Sequence, residues 1–263
     1  MSSILRGRIA PAELIVVDQS EVPADLPEVH VIHSPTAGST TARNLGVTAA
    51  TQDVIVFTDD DVLVEPTWLE MLVGALTEAG PRTAVTGQVL PGDEEVAGGR
   101  PMSVHVDPNP ASYVGRIGRE VLSGNNFAVY RSALAEVGGF DERLGPGSRF
   151  LSADDNDFGY RLLEAGYSIV YVPAAVLRHR TWRAGRDLRK VNWDYGVGQG
   201  AFYAKHMSLR DLYTARRLIR TAAWRLRRMV TRPVRRRSIG GSGDLVYVLG
   251  LLVGAGRWWI QER

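Results

Sequence analysis

The sequence predicts an α/β protein, with a mostly parallel sheet, helices on both faces of it, and an α-helical C-terminal extension. Short runs rich in β-branched residues alternate with helical stretches up to His179. These runs are apolar throughout, which is typical of strands covered on both faces. Beyond His179 no strand pattern precedes Leu245, and apolar residues recur there at helical spacing.

Local patterns predict each element in chain order. Apolar, β-branched runs predict strands at 13–17, 29–32, 54–57, 84–90 and 168–172, the last ended by Pro173. Helical spacing and end signals predict helices at 40–50, 66–79, 132–138 and 152–166. Pro66 suits the first turn of its helix, and Gly80-Pro81 ends it. Gly, Pro and Ser dominate 96–118, which predicts a long loop of the kind that covers binding sites.

Composition excludes several classes of protein. The chain has 263 residues, 44% of them hydrophobic and 23% charged, which excludes wholly disordered and fibrous proteins. The absence of cysteine excludes disulfide scaffolds, thiolate zinc sites and cysteine nucleophiles. The charge is divided: residues 1–177 hold 11 Lys and Arg against 24 Asp and Glu, whereas 178–263 hold 20 against 5. An acidic body with a basic tail predicts two roles in one chain.

Three adjacent carboxylates, Asp59, Asp60 and Asp61, follow the predicted strand at 54–57. Ligands of open α/β sheets bind at such strand ends. In extended geometry Asp59 and Asp61 would point to one side and Asp60 to the other. A divalent cation would relieve their repulsion, and Mg²⁺ and Mn²⁺ prefer oxygen ligands. The alternative is a solvated acidic turn before a helix.

A second acidic cluster lies at the start of the helix predicted at 152–166. Ser152 and Asp155 have the spacing of a helix N-terminal cap. A cap needs one acid, however, and Asp154 and Asp157 are also present. A carboxylate at a helix start stays ionised, which suits a catalytic base if it faces a cleft. Both interpretations stay open on these residues alone.

Two basic side chains are ambiguous by themselves. Arg43 is either a surface arginine or a bidentate contact to a phosphate or a base. His179, between two arginines, has the pattern of a structural histidine. The sequence contains no Walker loop, no dinucleotide fingerprint and no nucleophile elbow.

The order of the motifs over roughly residues 1–180 resembles that of the family 2 glycosyltransferases. The matching segments are 14–20, 42–46 and 54–61 in a nucleotide-sugar half, and 124–126, 137–142, 154–157, 161–162, 165–167 and 172–173 with His179 in an acceptor half. The resemblance implies a nucleotide-diphospho-sugar transferase sheet of the glycosyltransferase A type and transfer with inversion at the anomeric carbon. It favours the functional interpretation of both acidic clusters.

The resemblance also implies roles for single residues on the donor side. Asp18 would contact the nucleotide base, Arg43 would assist at the base or diphosphate, and Asp59 would lie near the ribose. Asp60 and Asp61 would bind a divalent cation, Mg²⁺ or Mn²⁺, in an Asp-X-Asp-like element.

On the acceptor side, the resemblance implies that Asp155 is the catalytic base, with Asp154 beside it. His179 would add a contact to the metal or the diphosphate. The acceptor hydroxyl would lose its proton to the base as it attacks.

The chain departs from the family pattern at its start. Family members usually open with a strand and a loop that cradles the base, whereas residues 1–5 look like the end of the helix that follows. We therefore expect an N-terminally incomplete catalytic domain at 1–180. A late start site and a truncated gene product both explain this. A catalytically impaired, membrane-associated remnant is one alternative function, and a glycoside hydrolase, which also uses two carboxylates, is another.

Residues 181–263 form the predicted basic, helical extension. Ten arginines and no acid lie between Arg216 and Arg237. Apolar residues recur there at helical spacing, at Leu212, Ala215, Ile219, Ala222, Leu226 and Met229. This pattern favours a helix on anionic lipid over nucleic-acid binding, and a protein docking helix is a third interpretation.

The apolar run 245–256 is too short to cross a bilayer, and residues 1–8 lack the apolar stretch of a signal peptide. The sequence thus predicts a metal-assisted, inverting transferase that takes a nucleotide-sugar donor and a glycan, lipid-linked or polysaccharide acceptor. It would lie peripherally on the cytoplasmic face of the cell membrane and bind no nucleic acid.

Overall fold

A computed structural model of the chain describes residues 1–27, 29–184, 186–231 and 234–262. They belong to two compact units. The first unit contains residues 1–141 and 155–182, and the second contains 142–154 and 183–263.

The first unit holds the strands and the shorter helices. Its strands are β1 (Ile15–Asp18), β2 (His30–His33), β3 (Val54–Thr58), β4 (Val62–Val64), β5 (Thr83–Glu94), β6 (Ala111–Val114), β7 (Asn126–Tyr130) and β8 (Ser168–Thr181). Its helices are α1 (Ser2–Leu5), α2 (Ser39–Ala49), α3 (Trp68–Ala79), α4 (Arg131–Val137) and nearly all of α5 (Asp154–Glu164). The α/β class is thereby confirmed, and the predicted helices are present within two residues of their expected bounds.

The large sheet is mixed, so the expectation of a mostly parallel sheet is corrected. Its strand order is β3-β7-β5-β8-β4, and β6 also pairs with β8. Within the described residues of this sheet, β5 and β8 run parallel and the other neighbouring pairs are antiparallel. An apolar run shows that a strand is covered on both faces, but it carries no information about the direction of its neighbours.

A second, two-stranded sheet lies apart from the large one. β1 and β2 pair in parallel, and in the described chain neither pairs with β3, which is an edge strand of the large sheet. Helix α2 connects the two sheets, because Gly46 faces Val17 of β1 while Val47 packs into the core of the large sheet. The absence of a first strand stays a prediction.

Strands extend into segments where the sequence predicted a loop or the end of a strand. The segment predicted as one long loop contains β6, a short edge strand that pairs with the first residues of β8. Pro173 does not end β8, because the pairing with β5 passes directly from Val172 to Val176. Residues 173–175 bulge out of the ladder, where proline needs no amide hydrogen.

Helices cover both faces of the large sheet, as predicted. On one face Phe57, Phe127, Leu134 and Phe158 belong to a core that includes side chains of α4 and α5. On the other face a second core contains apolar residues of β4, β5 and β8 together with Trp68, Leu72 and Leu76 of α3. Because apolar cores cover both faces of the sheet, the ends of its strands and the loops beside them are left for a polar site.

The second unit is helical, as the sequence predicts for the C-terminal extension. Its helices are α6 (Arg186–Lys205), α7 (Tyr213–Thr231) and α8 (Val234–Gln261). Helices α6 and α8 meet backbone to backbone through glycines. A Cβ atom on Gly254 would overlap the Val197 carbonyl, and one on Gly200 would overlap the Leu251 carbonyl. In the described part of the chain, no helix combines the length and the apolarity that crossing a membrane requires.

This packing predicts different effects for two glycines of α8. Gly254→Ala should destabilise the protein by about 1–3 kcal/mol, because the added methyl group forces the two helices apart. Gly256→Ala, whose Cβ would have nothing within 4 Å, should be neutral or slightly stabilising, since alanine is the better helix former. Urea unfolding of both variants measures the difference, and equal midpoints would contradict the close α6–α8 contact.

Candidate active site

Arg43 of α2 links two distant parts of the chain. Its side chain is 12% exposed, and its Nη2 atom donates to Asp59 Oδ1 at 2.9 Å and to the Gly124 carbonyl at 3.1 Å. The guanidinium also lies 5.4 Å from the centre of the Phe140 ring. The alternative of a surface arginine is therefore wrong. Arg43 holds the residue that follows β3 against the loop that precedes β7.

Gly124 continues this contact to the predicted base. Its amide donates to Asp155 Oδ2 at 3.1 Å, and the Asn156 amide donates to Asp155 Oδ1 at 2.8 Å. A Cβ atom on residue 124 would lie 2.9 Å from that of Asp155, so the approach requires glycine. Asp59, Arg43, Gly124 and Asp155 thus form one hydrogen-bonded chain, which ends at a half-buried carboxylate.

Asp61 lies beside His179 because β4 pairs with β8. The register sets Val62 opposite His179, and His179 Nε2 lies 3.4 Å from Asp61 Oδ1. The other ring nitrogen, Nδ1, lies 3.0 Å from the Arg180 carbonyl. Since a carbonyl only accepts, Nδ1 donates to it, and Nε2 is the ring nitrogen directed at the Asp61 carboxylate. Trp182 Nε1 completes the surroundings by donating to Asp61 Oδ2 at 3.1 Å.

The Asp triplet does not continue the strand, so the expected extended geometry is wrong. Asp60 and Asp61 form a turn between β3 and β4. Asp59 and Asp61 therefore contact different partners, Arg43 and His179, and Asp60 is exposed. Among the described residues, no three His, Asp or Glu side chains converge as a complete metal-binding group. The Asp61–His179 pair fits a cation that completes its coordination with water and substrate phosphates, which Mg²⁺ commonly does.

The three carboxylates at the start of α5 differ in burial and in their partners. Asp157 is fully buried and accepts from Arg161 Nε at 2.8 Å. Arg161 also donates to the carbonyls of Val137, Gly138 and Gly139, so this pair fixes the loop after α4. Asp154 is buried, whereas Asp155 is half-buried.

Ser152 anchors the segment before α5 to α6. Its hydroxyl donates to the Asp194 carbonyl at 3.1 Å. The next residue, Ala153, has a φ of 71°, a left-handed conformation that costs a non-glycine residue on the order of 1 kcal/mol. Gly198 of α6 accommodates the strained segment, because a side chain there would overlap Ser152.

Comparison with known proteins decides the family. The model of the family described as "Glycosyl transferase family 2" matches residues 4–138. The chain belongs to glycosyltransferase family 2.

Two curated relatives from Mycobacterium tuberculosis are similar to parts of this family 2 chain. The pre-mycofactocin glycosyltransferase is 28% identical over 186 residues, which cover 68% of this chain and 38% of the relative. The N-acetylglucosaminyl-diphospho-decaprenol L-rhamnosyltransferase is 49% identical over 67 residues, which cover 25% of this chain and 20% of the relative. The chain therefore spans less than half the length of either relative.

A solved structure supports the fold. The mannosyltransferase PcManGT from Pyrobaculum calidifontis, in complex with GDP-Man and Mn²⁺, aligns with a TM-score of 0.58 at 15% identity. The alignment covers 100% of this chain and 82% of that one. The glycosyltransferase A-like α/β fold is thereby confirmed.

The structure adds residues to the site that sequence reasoning did not single out. Trp182 follows the last strand and gives no sequence signal for its contact with Asp61. Asn44, one residue after Arg43, accepts from the Phe140 amide and donates to the Phe140 carbonyl at 2.8 and 2.9 Å. Gly124 was part of a matching motif, but its contact with Asp155 depends on the fold.

Asp18, at the end of β1, is engaged by its own loop. Its carboxylate accepts from the Ala24 amide at 2.7 Å and from the amide and hydroxyl of Ser20 at 2.9 and 2.7 Å. These hydrogen bonds, the Ala24 amide first, lower the pKa of Asp18 from 3.8 to about 2. The carboxylate thus orders the loop at 18–24, and its contact with a nucleotide base stays a prediction.

The lowered pKa of Asp18 predicts a pH dependence of stability. Because the folded state releases this proton more readily than the unfolded chain, the stabilisation is complete above about pH 4 and is lost as the pH falls towards 2. Asp18→Asn should therefore flatten the stability profile in that range. Unfolding measured between pH 5 and about 2 tests this. Asp25→Asn, an exposed carboxylate of the same loop, is the control and should leave the profile unchanged.

Proposed function

We propose that this chain is an inverting glycosyltransferase that moves a sugar from a nucleotide-diphospho-sugar to a hydroxyl of a glycan or lipid-linked acceptor. The observation that carries the proposal is the hydrogen-bonded chain Asp59–Arg43–Gly124–Asp155. It links a carboxylate at a strand end, where α/β proteins bind nucleotides, to a carboxylate suited to act as a base. Family membership supplies the expected reaction class.

On the donor side, Asp18, Arg43 and Asp59 would bind the nucleotide. Asp18 and Asp59 lie at the carboxyl ends of β1 and β3, and α/β proteins bind nucleotides at such strand ends. The partly exposed Asp59 carboxylate has one oxygen engaged by Arg43 and can accept from a ribose hydroxyl with the other.

Asp60, Asp61 and His179 would hold a divalent cation, Mg²⁺ or Mn²⁺. The exposed Asp60 and the Asp61–His179 pair supply hard oxygen ligands and one imidazole nitrogen on a single turn and its partner strand. When bound, the cation would neutralise charge on the departing nucleoside diphosphate. The Mn²⁺ and GDP-Man in the PcManGT complex support this assignment by analogy of fold.

Asp155 would act as the base, with Asp154 beside it. The amides of Gly124 and Asn156 fix the Asp155 carboxylate and favour its ionised form. The attacking acceptor hydroxyl passes its proton to Asp155 as the new glycosidic bond forms on the face opposite the leaving diphosphate. Inversion follows from this single displacement.

The acceptor would belong to cell-envelope polysaccharide synthesis. One relative is named for its action on a diphospho-decaprenol, a lipid-linked acceptor. Such acceptors are embedded in a membrane, so the proposal includes peripheral attachment to the cytoplasmic face of the cell membrane and no role in nucleic-acid binding.

A donor panel tests the proposed reaction. Release of nucleoside diphosphate is measured with UDP-, GDP- and dTDP-sugars, with a lipid-linked acceptor, and with or without EDTA. We expect release from one donor class that EDTA abolishes and added Mn²⁺ restores. Cation-independent hydrolysis of a glycoside would instead indicate a glycosidase.

A catalytically impaired remnant is the second candidate, and the divided sheet favours it. β1 and β3 carry two donor-side carboxylates at their ends but share no backbone hydrogen bonds in the described chain. A nucleotide site built on two separate sheets would be less rigid than one on a continuous sheet. Absence of binding to any nucleotide sugar in the donor panel would support the remnant.

Asp61→Ala tests the metal site. The substitution removes a cation ligand from a turn, so donor binding that depends on Mn²⁺ should be lost while the fold is retained. Titration calorimetry with a donor that the wild type binds measures the effect. Asp53→Ala, a 90% exposed carboxylate next to the other end of β3, is the matched control and should bind normally. If Asp61→Ala binds the donor in Mn²⁺ as tightly as the wild type, Asp61 is not a metal ligand.

Asp155→Asn tests the base. The amide keeps the shape of the side chain and can still accept from the Gly124 amide, but it no longer takes a proton. Turnover should fall by on the order of 10²–10⁴-fold with donor affinity nearly unchanged. Near-normal turnover would shift the role of base to Asp154, for which Asp154→Asn is the corresponding variant.

A further inference from the structure

We propose that α7 and α8 bind an anionic lipid bilayer mainly through exposed apolar side chains, with arginines in a secondary role. This deepens the membrane attachment proposed above and is independent of the transfer chemistry. The sequence pattern predicts an amphipathic helix with ten arginines and an apolar stripe, without showing which of them faces outward. The second unit places some of those arginines inward and apolar residues outward.

One arginine of α7, Arg217, points into the interior of the second unit. Arg217 is 6% exposed and lies 5.5–5.9 Å from the ring centres of Phe202, Tyr203 and Tyr213. Cation–π contacts of this kind stabilise a desolvated guanidinium. Arg217 is therefore committed to internal packing and does not reach a lipid phosphate.

Two further arginines of α7 pair with an acid of α8. Arg225 and Arg228 donate to Asp244, which is 1% exposed, at 2.7–3.0 Å. Burial alone would raise the pKa of Asp244, but hydrogen bonds from Arg228 and Arg225 outweigh it and hold that pKa below its ordinary value. The charges of these two arginines are therefore neutralised within the second unit and need no external anion.

The outward face of α7 is apolar. Ile219, Leu226 and Val230 are 64%, 44% and 72% exposed, and their spacing of seven and four residues sets them in one row. Leu212, just before the helix, extends the row by another seven residues and is also exposed.

Helix α8 has a similar row on the side away from its glycine contacts with α6. The helical repeat of 3.6 residues sets its exposed members on one face; they are Leu245, Leu249, Leu252, Val253, Trp259 and Ile260. Two neighbouring helices thus expose rows of large apolar side chains, which in water is unfavourable and marks an interaction surface. A terminal tryptophan suits the boundary between lipid tails and headgroups.

Charge identifies the occupant as anionic lipid. Arg216, Arg220 and Arg227 are exposed and lie in a single row beside the apolar row of α7. A cationic row next to an apolar one matches the headgroups and acyl chains of a bilayer surface. Nucleic acid would satisfy the arginines but leave the apolar rows in water.

Vesicle binding tests the proposal on the full chain. Sedimentation with phosphatidylglycerol–phosphatidylcholine vesicles is compared for the wild type, Ile219→Glu and Leu252→Glu. Both substitutions lie on exposed positions, so folding should be retained, and circular dichroism and urea unfolding check this. Each should reduce the partition coefficient by on the order of tenfold or more, at low and high salt alike. Leu209→Glu, at a 93% exposed leucine outside both helices, is the matched control and should bind like the wild type.

The contribution of the exposed arginine row is measured separately, through the salt dependence of vesicle binding. Arg220→Gln combined with Arg227→Gln should remove only the salt-sensitive part of binding. Wild-type affinity in both Glu variants, or complete loss of wild-type binding at high salt, would overturn the apolar-led surface. So would a dimer, detected by light scattering, that Ile219→Glu converts to monomer. Diphosphate release measured in solution distinguishes this failure from failure of the transferase proposal.

Discussion

The contact on which the candidate site depends is the ion pair between Arg43 and Asp59. A guanidinium that is nearly removed from solvent is stable only if its charge and its donors are matched. Asp59 supplies the charge, and the Gly124 carbonyl takes a further hydrogen bond from the same Nη2 atom. Because the Gly124 amide in turn donates to Asp155, the carboxylates of Asp59 and Asp155 are both positioned through the Arg43 guanidinium.

The same matching of an arginine's charge and hydrogen bonds is found at two other buried carboxylates of the described chain. Arg161 pairs with the fully buried Asp157 and also serves three loop carbonyls, so its charge and its geometry are both used. Arg225 and Arg228 share Asp244 between two helices. The surplus of positive charge in the C-terminal residues is therefore not all available to a partner. Because Arg225 and Arg228 point inward, the outward surface of α7 carries the apolar row described above.

Sequence patterns predicted the helices and strands whose bounds depend on residues close in the chain. The helix with Pro66 near its start and Gly80 at its end lies where it was expected, as do the strands that precede Asp18 and Asp59. The contacts of the site could not be predicted in the same way. The turn at Asp60 and Asp61 depends on β4 pairing with a strand more than a hundred residues away, and the inward orientation of Arg225 depends on Asp244 of another helix.

Because β1 and β3 belong to separate sheets, contacts of α2 take the place of the backbone hydrogen bonds that usually hold two such strands together. If Asp18 and Asp59 serve one nucleotide, β1 and β3 must be held at a fixed separation, although no described hydrogen bond joins these strands. Helix α2 contacts both, because Gly46 faces β1 and Arg43 binds the residue that follows β3. Gly46 lies against Val17 of β1, where even a Cβ atom would be in ordinary contact at 3.8 Å, and the ion pair of Arg43 fixes the other contact of the helix. A donor site that spans both strands would therefore be held by side-chain contacts of α2, which substitution disturbs more readily than a continuous ladder.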